Sequence, residues 1–476
     1  MGTSTDSGLA AGRSGDSSVI EARSIEVVPD GERHGTPRSQ FTLWFGATTQ
    51  ITAVVDGALA VVFGADPVWG VIGLLIGNLL GGAVMALHSA QGPLLGLPQM
   101  ISSRAQFGVF GAAIPLVLVI VMYLGFAATG TVLSGQAINQ IIGVDVPWIG
   151  IVVFGLLTLL IALLGYKVIH RLGRVATVLG VLGFGFLTVQ VLRAVDVGAL
   201  IAGMEFAWPP FLLSVALGAG WQLTFGPYVA DYSRYLPRST PPSRTFRYTL
   251  LGSVLGSQWS MTLGALVATL PARDGGTFLA DQVGFLGAIT GPGLAALAIY
   301  LVIVSGKLTV NSLNAYGGFM CALTTVAGFT GTMAISRRAR GLYITGFIAV
   351  SVIIALAASA DFLENFKNFV LVLLMVFTPW SAINLIDCYL ISKERIGTAA
   401  LYDADGRYGR WNVRALLCYG VGIVVQIPFL AQKLYTGPIT ELLGGADISW
   451  MVGLVLTGAL YLVLARRDPH LRGVAR

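Results

Sequence analysis

Residues 109–144 contain no Asp, Glu, Lys or Arg, and residues 175–190 contain none either. About 20 apolar residues suffice to cross the hydrocarbon core of a bilayer as a helix, and a helix satisfies its own backbone there. Water offers such runs no comparable home, because the chain lacks the polar surface to cover them. Of its 476 residues 55% are hydrophobic and 11% charged, where a soluble domain carries about 25% charged residues. Mean hydropathy is +0.78. A membrane barrel would need short segments of alternating polarity, and these are absent. The chain reads as an all-α polytopic membrane protein with the lipid bilayer as its solvent.

The pattern predicts twelve spans, at 41–64, 69–90, 110–142, 147–166, 173–194, 209–232, 247–271, 293–326, 341–359, 364–390, 413–431 and 447–465. An even number puts both termini on one side. The two tails and the loops after spans 2, 4, 6, 8 and 10 hold 24 of the 29 Lys and Arg residues. The opposite side holds four, Arg193, Arg273, Lys367 and Lys433, and Lys307 lies inside span 8. Basic loops stay in the cytoplasm, so both ends are expected there. The same asymmetry accounts for the net charge of +6 without a nucleic-acid partner.

Residues 1–40 are rich in Gly, Ser and charge and have no signal-peptide core. They read as a disordered cytoplasmic tail, with a second tail at 466–476. Cys321, Cys388 and Cys418 show no metal spacing, and His34, His88, His170 and His470 are scattered. No cofactor or metal is expected. A phosphate-cradling Gly-Lys-Ser/Thr loop is also absent, which argues against an ATP-driven pump.

A transporter needs irregular backbone at mid-membrane, where freed amides and carbonyls meet ion and substrate. Span 1 offers Gly46 followed by Thr48, Thr49, Gln50 and Thr52, and span 6 offers Gly218, Gly220, Gly226 and Pro227. Proline cannot donate the helical hydrogen bond, and glycine loosens the backbone. These two spans open a first five-helix repeat at 41–194 and a second at 209–359, with C-terminal helices at 360–465. An odd number of spans per repeat inverts one half relative to the other. By contrast Gly73, Gly77 and Gly81, four apart in span 2, read as a stripe for close helix packing.

Candidate ligand residues concentrate in spans 1, 6 and 8. In span 8 Asn311 and Asn314 share a face, as do Ser305 and Thr309. Lys307 lies between them, and a mid-span lysine costs about 2.5–3.5 kcal/mol on insertion scales, so it needs a partner or a watery cavity. Asp56 in span 1 reads either as a proton carrier or as a helix-end residue near the outer surface. Trp221 beside Gln222 offers a flat ring for stacking and an amide for reading a ligand's edge.

Several segments together resemble the purine–cytosine permeases of the nucleobase–cation symporter family. They are Ile25-Glu-Val-Val-Pro29, Glu32-Arg-His-Gly35, Trp44-Phe-Gly-Ala47, the run from Gly92 through Pro98-Gln99 to Gly108, Gly135-Gln136, Ala230-Asp-Tyr-Ser-Arg-Tyr-Leu-Pro237, Asn311-Ser-Leu-Asn-Ala-Tyr316, Pro379-Trp380 and Asp387-Cys-Tyr389. The resemblance implies a five-plus-five inverted repeat of the LeuT-like kind, two trailing helices and alternating access. It implies substrate held between Phe126 of span 3 and Trp221 of span 6, its edge read by Gln50, Gln222 and Asn314. It implies an ion site near Gly46 and Thr49 with Ser305 and Thr309.

Two departures from the family pattern bear on substrate and ion. Phe126 stands where a Trp is frequent, and Thr129 and Gly130 stand where the following turn carries an amide. Leu308 replaces a hydroxyl of the ion site, with Lys307 next to it. The expectation is a secondary importer of a nucleobase such as cytosine or a purine, coupled to a cation, with the proton favoured over sodium. It would sit in a bacterial inner membrane. Allantoin, a hydantoin or a vitamin precursor is the alternative cargo in the same fold. A channel or a membrane-embedded enzyme fits the residues less well.

Overall fold

The computed structural model describes residues 25–164, 166–272, 277–331, 336–433 and 435–466. The expected tail residues 1–24, the tail beyond Arg466 and Arg273 lie outside the described residues. Nine helices among the described residues are long and apolar enough to cross a bilayer. They are Pro67–Leu95 (span 2), Ala113–Ile142 (span 3), Pro147–Leu164 (span 4), Tyr166–Ala194 (span 5), Pro242–Val267 (span 7), Leu294–Thr330 (span 8), Arg337–Ala358 (span 9), Phe362–Ile386 (span 10) and Ser449–Arg466 (span 12). Span 1 is a bent pair, Arg38–Thr48 and Ile51–Val62, which turns through 63° at the break.

The two remaining predicted spans are shorter helices. Span 6 runs as Trp208–Leu223, a tight turn at Gly226–Tyr228 and Val229–Ser233. Span 11 is Val413–Val424 with a tight turn at Ile427–Phe429. Pro227 and Pro428 each lie inside the tight turn, where the missing donor is tolerated.

Packing reveals the internal repeat. If each span n is exchanged with span n + 5, neighbours map onto neighbours: 1 with 7 becomes 6 with 2, 3 with 4 becomes 8 with 9, and 4 with 8 becomes 9 with 3. Likewise 5 with 8 becomes 10 with 3, and 1 with 5 becomes 6 with 10. Spans 1, 2, 6 and 7 form one group and spans 3, 4, 8 and 9 another. This corrects the expected boundary at 359. Residues 209–359 hold four spans, and Phe362–Ile386 supplies the fifth, so the C-terminal pair is spans 11 and 12.

Residues 25–40 also depart from the expected disordered tail. Ile25 and Val28 are buried, and Ile25 packs in a cluster with Leu95, Leu97 and Ile101. Val28 N donates to Gly96 O at 2.9 Å, and Arg33 Nη1 donates to Pro93 O at 2.5 Å. The polar composition of the whole tail had masked three apolar residues, Ile25, Val27 and Val28, that dock on the loop after span 2.

The glycine stripe of span 2 is a packing surface. A Cβ on Gly73 would come 2.8 Å from Ser214 Cβ, and one on Gly81 would come 2.6 Å from Ala219 O. Gly77 lies against the backbone of Val215 and Ala219. Span 6 therefore approaches span 2 to within backbone contact.

Candidate functional site

The break in span 1 lies at Thr49 and Gln50, where ψ swings to 82° and 160°. Gly46, expected to loosen this region, is three residues away and packs against Thr177 of span 5, whose Cγ2 would lie 2.9 Å from a Cβ. Side chains sustain the break. Thr48 Oγ1 donates to Trp44 O at 2.7 Å and reaches Ser253 O of span 7 at 3.3 Å. Thr49 Oγ1 donates to Phe45 O at 2.7 Å, and Gln50 Nε2 donates to Ala47 O at 2.8 Å.

Gln50 Oε1 is then left to accept from Lys307 Nζ, at 2.6 Å. Lys307 is 3% exposed. The cation of span 8 is thus tied to the amide at the break of span 1, a charge-assisted contact across two structural groups. Lys307, Asn311 and Asn314 share one face of span 8, being four and three residues apart. Asn311 Nδ2 donates to Ala127 O at 2.8 Å and to Thr131 Oγ1 at 3.2 Å in span 3. Its Oδ1 and the Nδ2 of Asn314 are buried without a hydrogen-bond partner among the described residues. Buried amide atoms of that kind are rare in a folded protein, and both belong to residues on the interior face.

Phe126 and Trp221 come together with ring centroids 6.0 Å apart and planes at 86°. They touch edge to face. A flat ligand between them would need the rings parallel and about 7 Å or more apart. The expected sandwich is not preformed, and Phe126 also meets Phe369 of span 10 edge on, at 5.2 Å. Trp221 is 1% exposed, and its Nε1 donates to Ser257 Oγ at 2.9 Å.

Gln222 is placed elsewhere. Its Nε2 donates to Asn78 Oδ1 at 3.0 Å and Ser257 Oγ at 3.1 Å, and its Oε1 accepts from Ser253 Oγ at 2.5 Å. Both ends of the amide are engaged within spans 2, 6 and 7. Gln222, expected to read a ligand edge, is thus fully buried here with neither end of its amide free.

Two of the expected ion residues, Gly46 and Thr309, meet span 5. Gly46 faces Thr177 and the Thr309 methyl faces Gly173. Ser305 Oγ donates to Val302 O at 3.1 Å and Thr309 Oγ1 to Ser305 O at 3.2 Å, leaving their lone pairs free to face a cation. Thr129 Oγ1 donates to Gly125 O at 2.9 Å, so it does not replace the amide missing from that turn. Asp56 is 0% exposed, which removes the reading of it as a surface helix end.

Sequence reasoning gave no role to Tyr123 or Tyr228, yet both belong to this centre. Tyr123 and Tyr228 have ring centroids 5.2 Å apart, and the Tyr123 hydroxyl packs against Gly317 of span 8. The available signal was the position of Tyr228 directly after Gly226-Pro227. A cleft of about 690 Å³ lined by Gln140, Asp281, Phe285 and Tyr300 lies elsewhere, between the end of span 3 and the start of span 8.

Interlocked five-span halves around a buried centre of aromatics, amides and one lysine define a polytopic membrane transporter. The chain belongs to the family of permeases for cytosine/purines, uracil, thiamine, allantoin, whose model matches residues 27–453. It is 36% identical over 449 residues to a putative purine-cytosine permease of Bacillus subtilis (strain 168), covering 94% of this chain and 96% of that protein. Its fold is similar to that of Mhp1, a nucleobase-cation-symport-1 family transporter, in a closed conformation with bromovinylhydantoin bound. There the TM-score is 0.70 at 20% identity, over 96% of each chain. Against inward-facing Mhp1 the TM-score is 0.73 at 19% identity, over 97% of this chain and 95% of that one. A family of permeases sets the membrane-embedded enzyme aside.

Proposed function

We infer that the protein imports a nucleobase, cytosine or a purine, by alternating access coupled to a proton. It does so in a bacterial inner membrane with both termini in the cytoplasm. The observation that carries this reading is the junction of Gln50 and Lys307 at the break of span 1. It lies in the same interior as Phe126, Trp221 and Asn314. Stacking on Trp221 recognises a planar ring, and the amides of Gln50 and Asn314 supply donors and acceptors for its edge.

The proton is favoured because the Lys307 ammonium stands beside the position of a sodium ligand and Leu308 replaces a hydroxyl there. A fixed ammonium supplies the positive charge that sodium supplies elsewhere. Orientation rests on the 24 basic residues of the tails and even-numbered loops.

A second reading, allantoin, a hydantoin or a vitamin precursor as cargo, is favoured by one observation. Phe126, Thr129 and Gly130 leave the span 3 side of the centre with fewer polar groups than the family pattern. Proteoliposome uptake of labelled cytosine, uracil, adenine, guanine, hypoxanthine and allantoin separates these readings. It is measured under an imposed proton gradient, a sodium gradient or neither. Proton-driven uptake of a base is expected. Sodium-driven uptake removes the coupling assignment, and uptake of allantoin alone replaces the cargo.

A further inference from the structure

Asp56 lies in the second half of span 1 with 0% exposure, and neither carboxyl oxygen has a hydrogen-bond partner among the described residues. Thr52 Oγ1, one turn earlier on the same face, is buried and unpartnered too. The opposite face is the packing face: Gly57 lies against the backbone of Met261, and Gly264 against Val54 and Ala58. Thr52, Asp56 and Phe63 therefore look away from span 7. At the end of that face Phe63 meets Lys367 of span 10, whose Nζ is 3.8 Å from the ring centroid.

The helix Ile51–Val62 packs against spans 2, 3, 6, 7 and 10, and their titratable groups leave Asp56 alone. His88 of span 2 contacts Ser381. Tyr123 of span 3 stacks near Tyr228, and Trp208–Leu223 contains no titratable residue. Arg244, Arg247 and Tyr248 occupy the far end of span 7. In span 10 Glu364 pairs with Lys433 at 3.1 Å and Lys367 covers Phe63. A bare carboxylate without donors is strongly disfavoured in such a place, whereas a neutral acid is tolerated.

We propose that Asp56 carries the coupling proton, resting on the reading of the chain as a cation-coupled importer. The helix that bears Asp56 begins at Gln50, so proton and substrate bias one rigid element. With the proton on its carboxyl oxygen, Asp56 stays packed and Gln50 holds the position set by Lys307. When the interface opens to the cytoplasm and is wetted, the O–H bond breaks and the proton passes to water. The carboxylate that remains favours the wetted arrangement until it is reprotonated from the other side. Coupling then needs no contact between the two ligands, only one element whose equilibrium both shift.

The test compares wild type with Asp56→Asn in proteoliposomes, using a base that the wild type exchanges. Asp56→Asn mimics the neutral acid, so equilibrium exchange should stay within about twofold, since the packed state is retained. Accumulation driven by an inward proton gradient should fall at least tenfold. Undiminished accumulation by Asp56→Asn overturns the assignment, as does binding without either exchange or accumulation. Accumulation driven by sodium and abolished in Asp56→Asn overturns it too, and makes the carboxylate a sodium ligand. Should Asp56→Asn not insert, Asp56→Glu decides. A carrier carboxyl keeps accumulation with a displaced pH midpoint, and an unmoved midpoint overturns the assignment. A wild type that exchanges no base removes the transport reading itself, and this proposal with it.

Discussion

Lys307 shows how one residue can carry opposite structural and functional weights. A lysine at the centre of a span costs about 2.5–3.5 kcal/mol on insertion scales, and here it is held by the Gln50 amide rather than by a carboxylate. Lys307→Met should therefore insert at least as well as wild type, measured as the yield of monodisperse protein, while uptake falls at least tenfold. Lys307→Ala should likewise lower uptake, because the positive charge at the break of span 1 is lost. If it leaves the rate of proton-driven uptake intact, the ammonium has no part in coupling. Trp221 is tested through binding: stacking on an aromatic is worth about 1–3 kcal/mol per base, so Trp221→Ala should weaken binding roughly 5- to 150-fold. Trp221→Phe should recover most of that in a labelled-base binding assay.

Gln222 marks the limit of reading single residues. It is next to Trp221, but successive helical residues project about 100° apart, and sequence alone does not say which one faces the centre. Asn78, Ser253 and Ser257 engage both ends of the Gln222 amide, which supports a structural role for it. Gln222→Ala should lower thermal stability in detergent by about 1–3 kcal/mol through the partners left unpaired. The ranking of substrates in competition should not change; a changed ranking would falsify the structural role.

At the scale of elements, periodicity and charge located the spans to within a few residues, because uninterrupted apolar length is a local property. Breaks were harder. Pro227 advertises the break in span 6, but span 1 breaks at Thr49 and Gln50 without glycine or proline, held open by contacts to Lys307 and span 7 that no local pattern encodes. Gly46 attracted the wrong inference, since glycine serves close packing as readily as bending. The segment 25–40 was misread because composition was averaged over a tail whose apolar residues cluster in one short stretch.

The glycine stripe was legible, and it yields a paired prediction. A Cβ on Gly77 would run into the backbone of Val215 and Ala219, whereas Gly185 in span 5 has nothing within 4 Å. Gly77→Ala should destabilise by about 1–3 kcal/mol or more, as overpacking against backbone does. Gly185→Ala should be neutral or slightly stabilising in a helix. Melting curves in the same detergent distinguish them.

For the whole molecule, the exchange of span n with span n + 5 gives two groups, spans 1, 2, 6 and 7 against spans 3, 4, 8 and 9. The inverted relation was legible from an odd span count and two breakable helices. The misplaced boundary at 359 was correctable from the sequence as well, since 209–359 contains only four of the twelve predicted spans. If transport moves one group against the other, a covalent tie between the first half of span 1 and span 5, which packs on span 8 of the other group, should stop it. A tie within one group should not. A Cβ on Gly46 would lie 3.8 Å from Thr177 Cβ, and one on Gly155 of span 4 would lie 3.9 Å from Val352 Cβ of span 9, both near the ideal disulfide separation. In a background without Cys321, Cys388 and Cys418, oxidised Gly46→Cys/Thr177→Cys should lose more than about nine-tenths of uptake and regain it on reduction, because the tie closes the path that alternating access must open. Gly155→Cys/Val352→Cys should form its bond and transport normally. Equal inhibition by both pairs would mean that the groups do not move as rigid bodies, and full activity of the oxidised first pair would mean that span 1 and span 5 stay together throughout the cycle.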